Sequence, residues 1–182
     1  GLESITTGTG TAAAPVITAT TALHVNAAAA PNALTISGND GANSLTGSAF
    51  ADTLIGNSGN DTLNGGTGND TLTGGAGIDV FRFDSALNGA TNVDRIIDFT
   101  VAQSDLIQLE NAIFTGLPTT GALAATAFAI GPAATTAAHR ILYNTSTGSL
   151  LYDPDGTGLA AATAFATLNT GLGLTSARFT VT

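Results

Sequence analysis

The sequence contains no cysteine, methionine, tryptophan or lysine, and its only basic residues are Arg82, Arg95, Arg140 and Arg178. Without cysteine the chain has neither disulfides nor thiolate metal ligands, and without lysine it has no P-loop lysine and no Schiff-base chemistry. Four dispersed arginines in a chain of net charge −9 offer no basic surface for nucleic acid. The sequence has no run of 18 apolar residues and therefore predicts no transmembrane segment.

A nine-residue repeat fills the middle of the chain. Residues 38–82 divide without gaps into GNDGANSLT, GSAFADTLI, GNSGNDTLN, GGTGNDTLT and GGAGIDVFR. Position one is always glycine, position eight is leucine or phenylalanine, and position six is Asn43, Asp52, Asp61, Asp70 or Asp79. Because several positions hold through five units, the pattern indicates a repeat architecture.

The repeat predicts stacked turns and short strands. Its first six residues, rich in Gly, Asn and Asp, favour a turn, and the last three favour a strand whose middle side chain points inward. Two units make a coil of 18 residues, and coils stack about 4.8 Å apart. Asp52 then lies over Asp70, and Asp61 lies over Asp79. Carboxylates this close repel each other unless a cation lies between them, and calcium binds carboxylate and carbonyl oxygens.

We expect the repeats to be disordered without calcium and ordered with it. Each unit buries one apolar side chain, which is little against the backbone entropy lost on ordering, and the stacked acids add repulsion. Metal binding and folding are often coupled in this way.

The tract resembles the GGxGxDxUx repeat of RTX proteins, whose calcium-binding β-rolls are exported by bacterial type I secretion. The resemblance implies an all-β fold with a parallel β-roll. It also implies sites built from positions two, four and six of one unit and positions one, three and six of the unit 18 residues later. The first site is Asn39, Gly41, Asn43, Gly56, Ser58 and Asp61; the second is Ser48, Phe50, Asp52, Gly65, Thr67 and Asp70; the third is Asn57, Gly59, Asp61, Gly74, Ala76 and Asp79.

Two departures from the family pattern lie in these sites. Asn43 replaces an acid, so we expect weaker binding at the first site. Phe50 replaces a turn glycine, which bears on the geometry of the second site.

The segment after the repeats resembles serralysin-type C-terminal domains. Residues 94–99 read DRIIDF, and an aspartate follows seven residues after Asp98. The resemblance implies that Asp98 and Asp105 close the last calcium site together with Gly75, Gly77 and Asp79. The alternative is that Asp98 only caps a turn.

The remaining C-terminal residues predict a β-sandwich cap on the roll. Residues 140–144 and 149–153 flank a turn and predict a hairpin, and 162–168 and 178–181 predict two more strands. Asp153 and Asp155, in DPDGTG, resemble the opening of a calcium loop, but alanine stands at the position of an EF-hand glutamate. They form either a further ion site or a tight acidic turn.

These observations divide the chain into an Ala/Thr-rich flank at residues 1–33, a β-roll at 34–83 and a cap at 84–182, in which the resemblance implies a secretion signal. Short strands are expected at 16–17, 23–25 and 34–37. The chain begins with glycine and has no signal-peptide pattern, so we expect a fragment of a longer protein.

The sequence does not favour an enzyme, because it has only His24 and His139 and no recognisable catalytic motif. By resemblance, it is the calcium-binding C-terminal module of a secreted bacterial protein, a partner of the type I secretion apparatus that binds about three to five calcium ions. The alternative is a structural or adhesive cell-surface element whose calcium binding drives self-assembly. If the complete protein is an enzyme, we expect its active site upstream of residue 1.

Overall fold

The computed structural model describes residues 4–7 and 20–182, which form short β-strands and two single-turn 3-10 helices. The expected strand at 16–17 lies outside the described residues. The helices are Ala125–Ala127 and Ser176–Arg178. The strands are β1 Ser4–Thr7, β2 His24–Asn26, β3 Leu34–Ser37, β4 Ser44–Thr46, β5 Thr53–Ser58, β6 Thr62–Asn64, β7 Thr71–Ala76, β8 Val80–Phe83, β9 Asp94–Ile96, β10 Leu106–Leu109, β11 Gly121–Ala122, β12 Phe128–Ile130, β13 Ile141–Tyr143, β14 Ser149–Tyr152, β15 Thr163–Thr167 and β16 Phe179–Val181.

The strands form two sheets, and the repeats alternate between them. One sheet has the order β1-β3-β5-β7-β9-β15-β14-β13-β12, and the other has the order β11-β16-β10-β8-β6-β4-β2. From β3 to β9 and from β2 to β10 all neighbours are parallel. Leu54 pairs with Leu72, and Leu45 pairs with Leu63, so the predicted register of 18 residues is confirmed. The fold is a parallel β-roll, as expected.

The core of the roll is the inward side chain of each short strand. Side chains alternate along these strands, so the residues on either side of each leucine stay half-buried while the leucine is buried completely. The registers stack these side chains into two columns that face each other between the sheets. The columns are Val25, Leu45, Leu63, Phe81 and Ile107 in one sheet and Ile36, Leu54, Leu72 and Ile96 in the other.

The C-terminal strands extend both sheets of the roll. β15 pairs with β9 and leads to β14, β13 and β12, while β16 pairs with β10 and β11. The predicted hairpin is confirmed as β13 and β14. Across the sheets, Phe83 packs against Phe165 with ring centroids 5.1 Å apart, and Phe128 packs against Phe179 at 5.4 Å. The predicted role of this part as a sandwich cap stays a prediction.

The roll also extends upstream of the repeats. β2 pairs in parallel with β4, where Val25 stands opposite Leu45, so a strand of the Ala/Thr-rich flank already belongs to the sheet. The expected division at residue 34 falls between β2 and β3 and stays a proposal. Within the described part of the chain, no helix is long and apolar enough to cross a membrane.

Candidate metal centre

The aspartates at position six form a ladder through the turns on both sides of the roll. The backbone N–H of Asp52 donates to Oδ1 of Asp70 at 2.7 Å, and that of Asp61 donates to Oδ1 of Asp79 at 2.9 Å. Each pair is separated by 18 residues, as the repeat predicted. All four carboxylates are buried. The ladder therefore fixes the position of Oδ1 in each carboxylate that accepts such a hydrogen bond.

Two acids beyond the repeats continue this ladder. The N–H of Asp70 donates to Oδ1 of Asp94 at 3.2 Å, and the N–H of Asp79 donates to Oδ1 of Asp105 at 3.1 Å. The separations are 24 and 26 residues instead of 18. Sequence reasoning missed the place of Asp94, because the change of spacing hides it from the repeat. The first letter of the DxIxDF pattern was the signal that marks it.

The second oxygen of three of these carboxylates has no hydrogen-bond partner among the described residues. The atoms are Oδ2 of Asp61, Oδ2 of Asp70 and Oδ2 of Asp79, and each is buried. Burying an unpaired charged oxygen is costly unless a cation or a proton compensates for it. These three atoms point to a missing positive charge in the turns.

The space beside these oxygens exists because position one is glycine. A Cβ built on Gly56 would collide with Oδ2 of Asp61 and with the carbonyl oxygen of Gly74. A Cβ on Gly47 would meet Oδ2 of Asp52 and the carbonyl of Gly65 in the same way. A carboxylate oxygen and a carbonyl oxygen from the next coil thus converge in one small space. Such an oxygen set suits calcium and is repulsive without a cation.

The turns themselves stack with the same period. A Cβ on Gly77 would collide with the carbonyl oxygen of Gly59, and a Cβ on Gly59 would meet the carbonyl of Gly41. Gly59 and Gly77 have φ of 110° and 139°, which L side chains rarely adopt. Glycine at position four therefore lets each turn lie directly against the turn below it. Ser58 pairs with Ala76 in the same register.

Burial and neighbouring acids raise the pKa of several of these groups. Burial raises the pKa of Asp61, and it raises the pKa of Asp79 to about 6, with further contributions from the charges of Asp61, Asp105 and Asp98. Burial also raises the pKa of Asp70, with a further contribution from the charge of Asp52, and it raises the pKa of Asp94, with a further contribution from the charge of Asp70. Burial is also the largest cause of the raised pKa of Asp105. The site thus resists holding several negative charges without a cation.

The second predicted site is built around Asp52. Its Oδ2 accepts hydrogen bonds from the N–H and Oγ of Ser48 at 2.5 and 2.9 Å. Phe50 is 45% exposed, and its N–H donates to Oγ of Ser48 at 3.2 Å. The phenylalanine therefore points away from the turn, whose backbone stays in register with Gly68 of the next coil.

The two acids predicted to close the last site, Asp98 and Asp105, lie beside the last turn of the roll. Asp98 accepts hydrogen bonds from the N–H of Gly74 at 3.0 Å and of Gly75 at 2.8 Å. Oδ2 of Asp105 accepts from the N–H of Thr100 at 2.8 Å. Both acids come close enough to Asp79 to act on its pKa. The structure brings these acids together, and their ligation of an ion stays a prediction.

The first predicted site contains the side-chain amide of Asn43 where the later sites have a carboxylate. Nδ2 of Asn43 lies among oxygens of the same site: the carbonyls of Asn39 and Gly41 at 2.9 and 2.6 Å, the carbonyl of Gly56 at 3.3 Å, and Oδ1 of Asp61 at 2.9 Å. The amide of Asn43 thus already donates to several of the oxygens that the resemblance assigned to an ion.

The DPDGTG segment folds as a local turn. Oδ1 of Asp153 accepts from the N–H groups of Asp155 and Gly156 at 3.3 and 2.8 Å, and Oδ2 of Asp155 accepts from that of Ala160 at 3.0 Å. This geometry is typical of a tight acidic turn. An additional ion at Asp153 and Asp155 stays a prediction.

The predicted sites draw most of their oxygens from the backbone. Within residues 4–7 and 20–182, no group of three or more His, Cys, Asp or Glu side chains is arranged to hold a metal by side chains alone. By the resemblance, Gly65, Thr67 and Ala76 would contribute through the carbonyl groups of the stacked turns.

Residues 35–49 and 46–81 match the family described as RTX calcium-binding nonapeptide repeat (4 copies). No curated protein matches the chain. Among solved structures, the chain is similar to the solution structure of the AlgE6R3 subunit from the Azotobacter vinelandii mannuronan C5-epimerase. The two are 22% identical with a TM-score of 0.40 over 91% of this chain and 81% of that chain. Residues 35–81 are RTX calcium-binding repeats, and they form a β-roll.

Proposed function

We propose that this chain is a module of a secreted bacterial protein, that it folds when it binds calcium, and that it contains the signal for export. The observation that supports calcium-dependent folding is the row of buried carboxylate oxygens without partners, Oδ2 of Asp61, Asp70 and Asp79. Burying these oxygens is unfavourable in the calcium-free chain and becomes favourable when a cation is shared between neighbouring turns.

The proposed sites lie in the second and third pairs of turns and at the end of the roll. In the second, Asp52 and Asp70 supply carboxylates, and the carbonyl of Gly65 lies beside Oδ2 of Asp52. In the third, Asp61 and Asp79 take these roles. The proposed ligand sets are Ser48, Phe50, Asp52, Gly65, Thr67 and Asp70; Asn57, Gly59, Asp61, Gly74, Ala76 and Asp79; and Gly75, Gly77, Asp79, Asp98 and Asp105.

Calcium supplies the positive charge that these oxygens lack. The chain supplies the register: hydrogen bonds from Asp52 to Asp70 and from Asp61 to Asp79 hold each carboxylate against the next turn. Since the ligands come from residues 18 apart, they meet only when the coils are stacked. The free energy of calcium binding therefore adds to the free energy of folding, and this stabilisation increases with the calcium concentration.

Circular dichroism of the whole chain, titrated with calcium after removal of metal by EDTA, tests calcium-dependent folding. We expect a cooperative gain of β-sheet signal with calcium and none with magnesium at equal concentration, because magnesium demands a smaller octahedral site. A spectrum that does not change between EDTA and calcium contradicts the proposal.

We extend the proposal to export through a type I secretion apparatus. An acidic roll that stays unfolded at low cytosolic calcium can pass a narrow channel, and calcium outside the cell then drives folding. Residues 177–182 would carry part of the C-terminal signal, since Arg178 is their only charged side chain. We propose that the chain itself is not an enzyme.

Deletion of residues 110–182 tests this export role in a host with a type I exporter. We expect loss of secretion, whereas a chain that lacks residues 1–19 is still secreted. Normal secretion of the first variant contradicts the export role.

Light scattering with added calcium tests the alternative of a surface-layer or adhesin element: growth of assemblies supports it, and a stable monomer supports the export module.

A further inference from the structure

We propose that the first turn of the roll binds no calcium, and that the side-chain amide of Asn43 takes the place of the ion. The proposal concerns the turn formed by residues 38–43 and its neighbour 18 residues later. It deepens the proposed function and rests on it for the contrast with the later turns, in which Asp52 and Asp61 stand at the position of Asn43.

The Asn43 amide nitrogen lies where the oxygens of this site converge. Nδ2 is 2.6 Å from the carbonyl of Gly41, 2.9 Å from that of Asn39, 3.3 Å from that of Gly56 and 2.9 Å from Oδ1 of Asp61. Calcium needs oxygens at about 2.3–2.6 Å. An ion surrounded by these four atoms would occupy the space of the nitrogen, so the two exclude each other.

The orientation of the Asn43 amide is fixed by a bond on its other side. Oδ1 of Asn43 accepts the N–H of Leu23 at 3.1 Å. Exchanging the oxygen and the nitrogen would place an NH2 group against that N–H and an oxygen among four oxygens. Only the orientation with Nδ2 inward satisfies both sides. Asn43 is also buried, so water does not compete for these bonds.

The later repeats place an oxygen at the equivalent point. A Cβ on Gly38 would meet Nδ2 of Asn43 and the carbonyl of Gly56, whereas a Cβ on Gly56 would meet Oδ2 of Asp61 and the carbonyl of Gly74. In the first turn this atom carries two hydrogens to donate. In the later turn it is a carboxylate oxygen without a partner among the described residues. The first turn is therefore satisfied from within, while the turn of Asp61 has a buried carboxylate oxygen for which a cation would compensate.

The substitution Asn43→Asp tests this inference by creating a complete RTX site. Calcium bound to the whole chain is counted by native mass spectrometry in calcium-saturated solution. The control is Asn60→Asp, because Asn60 is exposed and its Oδ1 accepts the N–H of Ile78 at 2.8 Å, so this variant adds the same charge outside a site. We expect Asn43→Asp to bind one more calcium than the wild type, and Asn60→Asp to bind the same number.

An equal calcium count in the wild type and in Asn43→Asp overturns the inference, because the first turn then already holds an ion. A failure of the proposed function gives a different result, since neither the wild type nor Asn60→Asp would bind any calcium.

A second measurement on the unmodified chain keeps the inference testable if Asn43→Asp fails to fold. In the calcium-loaded protein, we expect NMR to show that the two Nδ2 hydrogens of Asn43 exchange slowly with solvent, because both lie in buried hydrogen bonds. Exchange at the rate of an exposed asparagine overturns the inference.

Discussion

The backbone N–H of Asp61 donates a hydrogen bond to Oδ1 of Asp79, 2.9 Å away and 18 residues later in the chain. This bond orients the Asp79 carboxylate and leaves its buried Oδ2 without a partner among the described residues. The same relation joins Asp52 to Asp70. Every second unit of the nine-residue repeat thereby returns to the same side of the roll, where we propose that the stacked aspartates bind calcium.

Replacing one ladder carboxylate weakens calcium binding. In Asp70→Asn, Oδ1 still accepts the N–H of Asp52, but the charge at the second site falls by one. We expect calcium affinity to fall about 10-fold or more, which corresponds to about 1.4 kcal/mol or more. The calcium midpoint of folding, measured by circular dichroism, reports this change. Asp40→Asn removes the same charge from a half-buried residue outside the predicted ligand set and should leave the midpoint nearly unchanged.

Glycine at position one keeps the site open. In Gly56→Ala the new methyl group collides with Oδ2 of Asp61 and the carbonyl of Gly74. We expect a loss of about 1–3 kcal/mol in the free energy of unfolding with calcium present, measured by urea denaturation. Gly173→Ala is the matched control, since nothing described lies within 4 Å of its added Cβ. Equal effects of both variants would contradict the close approach described here.

The calcium-free and calcium-bound chains respond to pH in opposite directions. Burial raises the pKa of Asp79 to about 6, above the value of about 3.9 in an unfolded chain. The folded state thus binds this proton more tightly, so its contribution to stability is complete below about pH 4 and is lost as the pH rises through about 6. With calcium, protons compete with the ion for the same oxygens.

Circular dichroism at about pH 5 and about pH 7.5, in EDTA and along a calcium titration, measures this opposition. Acidification should raise the residual β-sheet signal in EDTA and should raise the calcium concentration at the midpoint of folding. The same direction of change in both solutions would argue against buried carboxylates as ligands.

The leucine column contributes stability that calcium cannot replace. Leu63 is fully buried between Leu45 and Phe81 of the neighbouring coils. We expect Leu63→Ala to lower the free energy of unfolding in calcium by about 2–5 kcal/mol. Leu159→Ala, at a fully exposed side chain, should change it by less than about 0.5 kcal/mol. Urea denaturation in saturating calcium compares the two, and a small effect at Leu63 would contradict the packing.

The repeat predicted the roll because its physics is local and periodic. Glycine and asparagine in the turn and one leucine in the strand are enough to set the period, so the pairing of Leu54 with Leu72 followed from the sequence. Asp98 and Asp105 were placed by resemblance. Asp94 was missed because it follows Asp70 by 24 residues, whereas the repeat places stacked residues 18 apart. Only the fold shows that the ladder continues at Asp94.

Other features depend on contacts that a repeat does not encode. The amide of Asn43 is oriented by Leu23, which lies outside the repeats, so its role as a donor was not visible in the sequence. Phe50 departs from the pattern, yet it is tolerated because its side chain points to solvent. The pairing of β15 with β9 joins residues more than 70 positions apart, which no local pattern reports.

The central claim is that residues 18 apart share a divalent cation, and an anomalous difference map of a crystal grown in calcium tests it most directly. We predict peaks between the turns of Asp52 and Asp70 and between those of Asp61 and Asp79, with carboxylate and carbonyl oxygens at about 2.3–2.6 Å. A well-ordered roll in that crystal with no anomalous peak between these turns would contradict the claim.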